Sequence, residues 1–125
     1  MHTDLLSLHI IDVFQMTGLL RRIFFFNEQE TKYVSIYLNV DLKRQVKTRT
    51  SSGHVVLNEM QWFILMTFKS NIPKSDFHEL GDTRHTLSMY CGRYILITSE
   101  KTQVYLSKKD WSRLMDLASA CIDRV

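Results

Sequence analysis

At 125 residues, with 45% hydrophobic and 23% charged residues, the chain has the size and composition of one compact globular fold. Its longest apolar stretch, 5–14, is interrupted by His9 and Asp12, falls short of the roughly 20 residues a membrane span needs, and lacks a signal-peptide pattern. Two cysteines, Cys91 and Cys121, are too few for a disulfide framework or a zinc site and point to an intracellular protein, while a net charge of +3 and a pI near 9.0 say less than where the charges fall.

Residues 1–20 carry Leu5, Leu6, Ile10, Val13, Phe14 and Leu20 near helical spacing, with Thr3 as a cap and Gly18 as a stop, so a helix is expected. The β-branched content of 8–14 also permits a strand there. Arg21 and Arg22 introduce Ile23, Phe24, Phe25 and Phe26, an apolar run of strand length. A polar turn at 27–31 leads to an alternating strand at 32–40, with Val34, Ile36 and Leu38 on one face and Tyr33, Ser35 and Tyr37 on the other. A third strand is expected at 45–49. Between Leu42 and Asn58 there is no acidic residue, while Lys43, Arg44, Lys47 and Arg49 fall within seven positions. Such a stripe suits a phosphate backbone, and a solvated strand end is the plainer alternative. Ser51, Ser52 and Gly53 make a turn into a fourth strand, 54–57.

A twelve-residue pattern follows and recurs. Residues 55–66, VVLNEMQWFILM, return forty-nine positions later at 104–115 as VYLSKKDWSRLM, with five identities in register. Each copy reads as a strand end, an N-cap at Asn58 or Ser107 with Gln61 or Asp110 three residues on, and an amphipathic helix. Trp62, Leu65, Met66 and Ile72 form the first apolar stripe; Trp111, Leu114, Met115, Ala118, Cys121 and Ile122 form the second. Both tryptophans are therefore expected in the core. Pro73 is expected to end the first helix, and 73–83 reads as a linker. The second copy starts at Arg84, with strands at 87–90, 94–98 and 103–106 and a tight turn at Cys91, Gly92 and Arg93. The fold class is thus α+β, two antiparallel sheets each followed by a helix, divided as an N-terminal segment (1–20), a first unit (21–72), the linker, and a shorter second unit (84–125).

No phosphate-binding glycine loop, nucleophile motif or metal-ligand spacing occurs among His2, His9, His54, His78 and His85, so neither catalysis, cofactor nor metal is implied. What remains is a binding surface. Lys43, Arg44, Lys47 and Lys101 are candidate phosphate contacts by charge and position. Tyr33, Tyr37 and Phe24 or Phe26 are candidate stacking platforms.

Arg22-Ile-Phe-Phe-Phe, a turn, Lys32-Tyr-Val-Ser-Ile-Tyr, a basic third strand and Val55-Val-Leu-Asn58-x-x-x-Trp62 together resemble the positive cofactor four domain of transcriptional coactivators and single-stranded-DNA-binding proteins. The second copy is similar over 90–97 and 104–114. The resemblance implies two curved sheet-plus-helix units paired through their helices, here as an intrachain pseudo-dimer or, if two chains associate, a homodimer. It implies further that Arg22, Lys32 and Arg49 in the first copy, and Tyr90 and Arg93 in the second, contact nucleic acid. Gln29 and Asp41 stand where that family has aromatic side chains, and Leu38 replaces a basic one. The function implied is non-sequence-specific binding of single-stranded DNA in replication or transcription, in a nuclear or viral-replication compartment and with transcription or replication proteins as partners. The rivals are a single-stranded-RNA-binding protein and a protein-interaction adaptor that binds no nucleic acid.

Overall fold

The computed structural model describes residues 10–14, 20–71 and 77–123, with side chains from 21–71 and 77–117. Two antiparallel sheets, each followed by a helix, make an α+β fold. The first sheet is a five-stranded meander: β1 (Ile10–Phe14), β2 (Leu20–Phe25), β3 (Tyr33–Leu38), β4 (Arg44–Thr50) and β5 (Gly53–Asn58), followed by α1 (Glu59–Met66). The second has four strands, β6 (His78–Asp82), β7 (His85–Tyr90), β8 (Tyr94–Ser99) and β9 (Thr102–Ser107), followed by α2 (Lys108–Asp123).

Local chemistry accounts for most of these elements. Asn27 Oδ1 accepts from the Thr31 and Lys32 amides (3.0 and 2.9 Å), closing the β2–β3 turn. Asn39 Oδ1 does the same for Asp41 and Lys43 ahead of β4 (2.9 and 3.0 Å). At α1 the expected capping box forms: Gln61 N donates to Asn58 Oδ1 (2.8 Å) and Asn58 N to Gln61 Oε1 (2.9 Å). Asp110 N donates to Ser107 Oγ (3.1 Å) at the start of α2.

Three expectations are corrected. Residues 10–14, expected in a helix, are strand β1, paired from Ile10↔Phe24 to Phe14↔Leu20. Four of those five residues are β-branched or aromatic, and a partner strand decides between the two periodicities. The parts of that helix at 1–9 and 15–19, with Thr3 and Gly18, lie outside the described residues. The region read as a linker contains β6, hydrogen-bonded to β7. Its only inward side chain is Leu80, fully buried, and a register shift between Glu79 and Asp82 around Gly81 (φ +93°) hides its alternation. Finally, α1 stops at Met66, well before Pro73, which lies outside the described residues. The chain turns off there through 3₁₀-type bonds from Thr67, Phe68 and Lys69 to Ile64, Leu65 and Met66, and Thr67 Oγ1 also donates to Ile64 O (2.6 Å).

One hydrophobic core serves both sheets. Phe24, Phe26, Ile36, Leu57, Trp62 and Leu65 from the first unit share a cluster with Ile97, Leu106, Trp111 and Leu114 from the second. Both tryptophans are buried, as the stripes predict. The sheets meet mainly along β5 and β9; α1 packs against β6 and α2 against β3, so each helix touches the other unit's sheet. The Thr50 and Ser99 hydroxyls donate across the junction to the carbonyls of Tyr105 (3.4 Å) and Val56 (3.0 Å). Tyr105 N donates to Ser52 Oγ (2.9 Å), Lys32 Nζ pairs with Asp110 Oδ2 (2.7 Å), and Gln61 Nε2 donates to Asp82 Oδ2 (3.4 Å).

Gly53 lies where this junction is tightest. Its φ is +151°, and a Cβ there would sit 2.4 Å from the backbone oxygen of Gln103 in β9. Gly53→Ala is therefore expected to lower stability by about 2 kcal/mol, read as a drop in urea midpoint at constant m-value. An unchanged midpoint would show that the junction gives way freely.

Candidate nucleic-acid interface

Strand alternation divides the first sheet into a core face and an outer face. Cross-strand rows place Val34 with Thr48 and Ile36 with Val46 on the core side. The outer face carries Tyr33 in a row with Arg49 and His54, Ser35 with Lys47 and Val56, and Tyr37 with Gln45. Arg21, one β2 step from Ile23, reaches over this face. Its Nε donates to Ser35 Oγ at 2.7 Å, and its guanidinium lies 5.8 Å from the Tyr33 ring centre and 6.0 Å from that of Tyr37. Phe25 packs edge-on against Tyr33 at 6.0 Å. Lys47 and Arg49 stand beside this group, and neither has an ion-pair partner among the described residues.

The electrostatics follow from that placement. Burial lifts the Tyr37 hydroxyl above the ordinary phenol value, with Arg21 opposing, so it stays neutral at physiological pH. Burial, then the positive charges of Lys47 and Arg49, holds His54 below the usual imidazole value. A phosphate laid on those two cations removes part of that depression. A saturating single-stranded oligonucleotide is therefore expected to raise the His54 pKa, followed by NMR of its ring protons. No movement would mean that the strand does not cross this row. In the free protein the lowered value has its own consequence. The unfolded chain takes up a proton that the folded chain refuses, so the contribution to stability is full above the unfolded imidazole pKa. It is lost as pH falls through the folded one.

The predicted site residues divide by strand parity. Lys47, Arg49 and Tyr37 lie on the outer face, and Lys43 is exposed in the β3–β4 turn. Five others lie elsewhere. Phe24 is not a stacking platform: it is 1% exposed and pairs with Val34 in the core row. Phe26 is likewise fully buried. Arg22 pairs with core-facing Ile36 and is half-buried, off the outer face. Lys32 is held by Asp110, and Arg44 spans both Glu59 carboxylate oxygens (2.6 and 3.1 Å) at the start of α1. These two cations fasten strands to helix starts, where acidic side chains oppose the helix dipole favourably.

The second sheet presents a different outer face. Tyr90 and Tyr94 pair across β7 and β8 and are 47% and 43% exposed, and Tyr90 meets Tyr105 edge-on at 5.2 Å. Arg93 is exposed in the turn beside them, where Arg93 N donates to Tyr90 O (3.1 Å). Lys101 sits in the β8–β9 turn, away from the tyrosine rows. The sequence reading missed Arg21, Tyr94 and Tyr105 as members of these faces. Alternation from Phe24 and from Leu106 would have found them once either was assigned inward.

Among the described residues no group of three or more His, Cys, Asp or Glu side chains is placed to hold a metal ion, and no helix is long and apolar enough to cross a membrane. No protein-family description, curated protein or solved structure matches the chain.

Proposed function

We propose that this chain binds single-stranded nucleic acid without sequence specificity, DNA before RNA, along the outer face of the five-stranded sheet, and serves replication or transcription. One observation carries the reading: the Arg21 guanidinium lies over Tyr33 and Tyr37 next to Lys47 and Arg49. Binding single strands without regard to sequence needs cations along a backbone path and flat groups for bases, and a guanidinium on a tyrosine offers a stacking plane as well as a charge. Tyr90, Tyr94, Tyr105 and Arg93 extend the aromatic surface on the second sheet. This is the function implied by the resemblance to the positive cofactor four domain, now carried by Arg21 in place of Arg22.

We further propose that the two units form an intrachain pseudo-dimer. Its support is that the junction contacts recur at the repeat offset of forty-nine positions. Thr50 to Tyr105 matches Ser99 to Val56 at that offset on both sides; Asp110 and Gln61 match at it too, while the residues that hold them, Lys32 and Asp82, stand fifty positions apart. Pairing runs through β5 and β9, and not mainly through the helices as the resemblance implies.

The test is an anisotropy titration of single- and double-stranded thirty-mers at two salt concentrations. The reading requires the single strand to bind more tightly, with affinity falling steeply as salt rises. The rival adaptor reading draws on Met60, Phe63 and Phe77, exposed at 70%, 47% and 64%. It requires no affinity for the single strand even at low salt.

A further inference from the structure

Where the two units meet, the outer face of the first sheet opens into a cleft of about 510 Å³, within the size range of small-molecule sites. Gln45, His54 and Val56, members of the rows that carry Tyr37, Arg49 and Lys47, form one wall. The other comes from the second unit: Asp82, His85 and the β8–β9 turn at Ser99, Glu100, Lys101 and Thr102. Buried Gln61 and Ser99 line it too, so it is polar.

The donors and acceptors of this cleft select its occupant. Asp82 Oδ1 is fully used, accepting from Arg84 N, His85 N and His85 Nδ1 at 2.8, 2.9 and 2.7 Å. Its Oδ2 receives only Gln61 Nε2, at 3.4 Å, which leaves acceptor capacity. With Asp82 and Glu100 both lining the space and Lys101 the only lysine or arginine there among the described residues, a phosphate is disfavoured inside it. A neutral, flat group that donates hydrogen bonds is favoured.

We infer that the cleft holds one unstacked nucleobase of the bound strand, a base with an exocyclic amino group donating to Asp82, while the backbone stays outside on Lys47 and Arg49. The inference rests on the single-strand-binding reading and adds a preference to it. Adenine, cytosine and guanine bring an amino donor; thymine and uracil put a carbonyl oxygen at the equivalent edge of the ring, against a carboxylate. Taking a base out of a single strand costs only stacking, which Arg21 and the tyrosines recover for its neighbours.

The experiment compares a fifteen-nucleotide oligothymidine with the same oligomer carrying one central cytosine, by anisotropy with the full chain. A third oligomer carries 2-aminopurine, whose fluorescence rises when it leaves its stack. The cytosine is expected to tighten binding about five-fold, the worth of one net hydrogen bond, and the 2-aminopurine to brighten on binding. Val56→Trp fills the cleft and is expected to abolish the cytosine advantage. Asp82→Asn, which keeps the size of the side chain, is expected to reduce it and serves if the larger residue disturbs β5. Equal affinities for the first two oligomers, a 2-aminopurine that stays dark, or an advantage that survives in a folded variant overturns the inference while single-strand binding stands. If the parent binds no oligomer, both fall together.

Discussion

Replacing Lys47 and Arg49 together by alanine is expected to weaken single-stranded DNA binding about twenty-fold at 0.1 M salt, alike for every sequence. On a single strand each neutralised phosphate adds about 0.7 to the slope of log affinity against log salt, so two lost contacts flatten it by about 1.4. A decade of dilution from 1 M, where such contacts contribute little, converts that slope into the stated factor. Neither side chain has an ion-pair partner among the described residues, and both lie on the outer face, so the variant should unfold at the parent's urea concentration. Lys32→Ala should behave in the opposite way. It breaks the half-buried pair with Asp110, lowering stability with little change in salt slope. A double variant that binds as tightly as the parent would remove the proposed strand path.

Trp62→Ala is expected to cost about 4 kcal/mol of stability, and Trp111→Ala a similar amount, measured by urea unfolding. Each indole is almost wholly enclosed in the core that both units share. Set against the 5–15 kcal/mol that holds a typical domain folded, either substitution leaves a marginal protein. Both indole N–H groups are buried with no hydrogen-bond partner among the described residues, so Trp→Phe should cost much less, since it removes an unsatisfied donor along with the lost carbon atoms. Because the core is common, the parent should unfold in one transition, with fluorescence and circular dichroism coincident. Two separated transitions would show that the units stand independently.

What could be read in advance was what short-range chemistry writes. The Asn58 capping box and the buried positions of Trp62, Leu65, Trp111, Leu114 and Met115 depend on residues within a few positions of one another, and these hold; Ile72 and the side chains of Ala118, Cys121 and Ile122 lie outside the described residues. The misplacements are those that depend on a distant partner. Lys43, Arg44, Lys47 and Arg49 look like a single basic stripe, yet strand parity sends Arg44 to Glu59 and keeps Lys47 and Arg49 outside. Lys32 meets its carboxylate seventy-eight positions away. In the run of three phenylalanines, pairing with β3 puts Phe24 in the core row with Val34 and Phe25 in the outer row with Tyr33. Strand β6 has a single core residue and a bulge, too little pattern to be seen without β7 beside it.

The shared core also sets an order of events during synthesis. The ribosome releases the five-stranded sheet first, with the inward side of β3, β4 and β5 still lacking α2, β8 and β9, which are made later. At about 5–20 residues per second, several seconds pass with that greasy surface bare to solvent or to a chaperone. A nascent chain halted before Trp111 should therefore be captured by holdases and cut readily by protease, and the finished one should resist both.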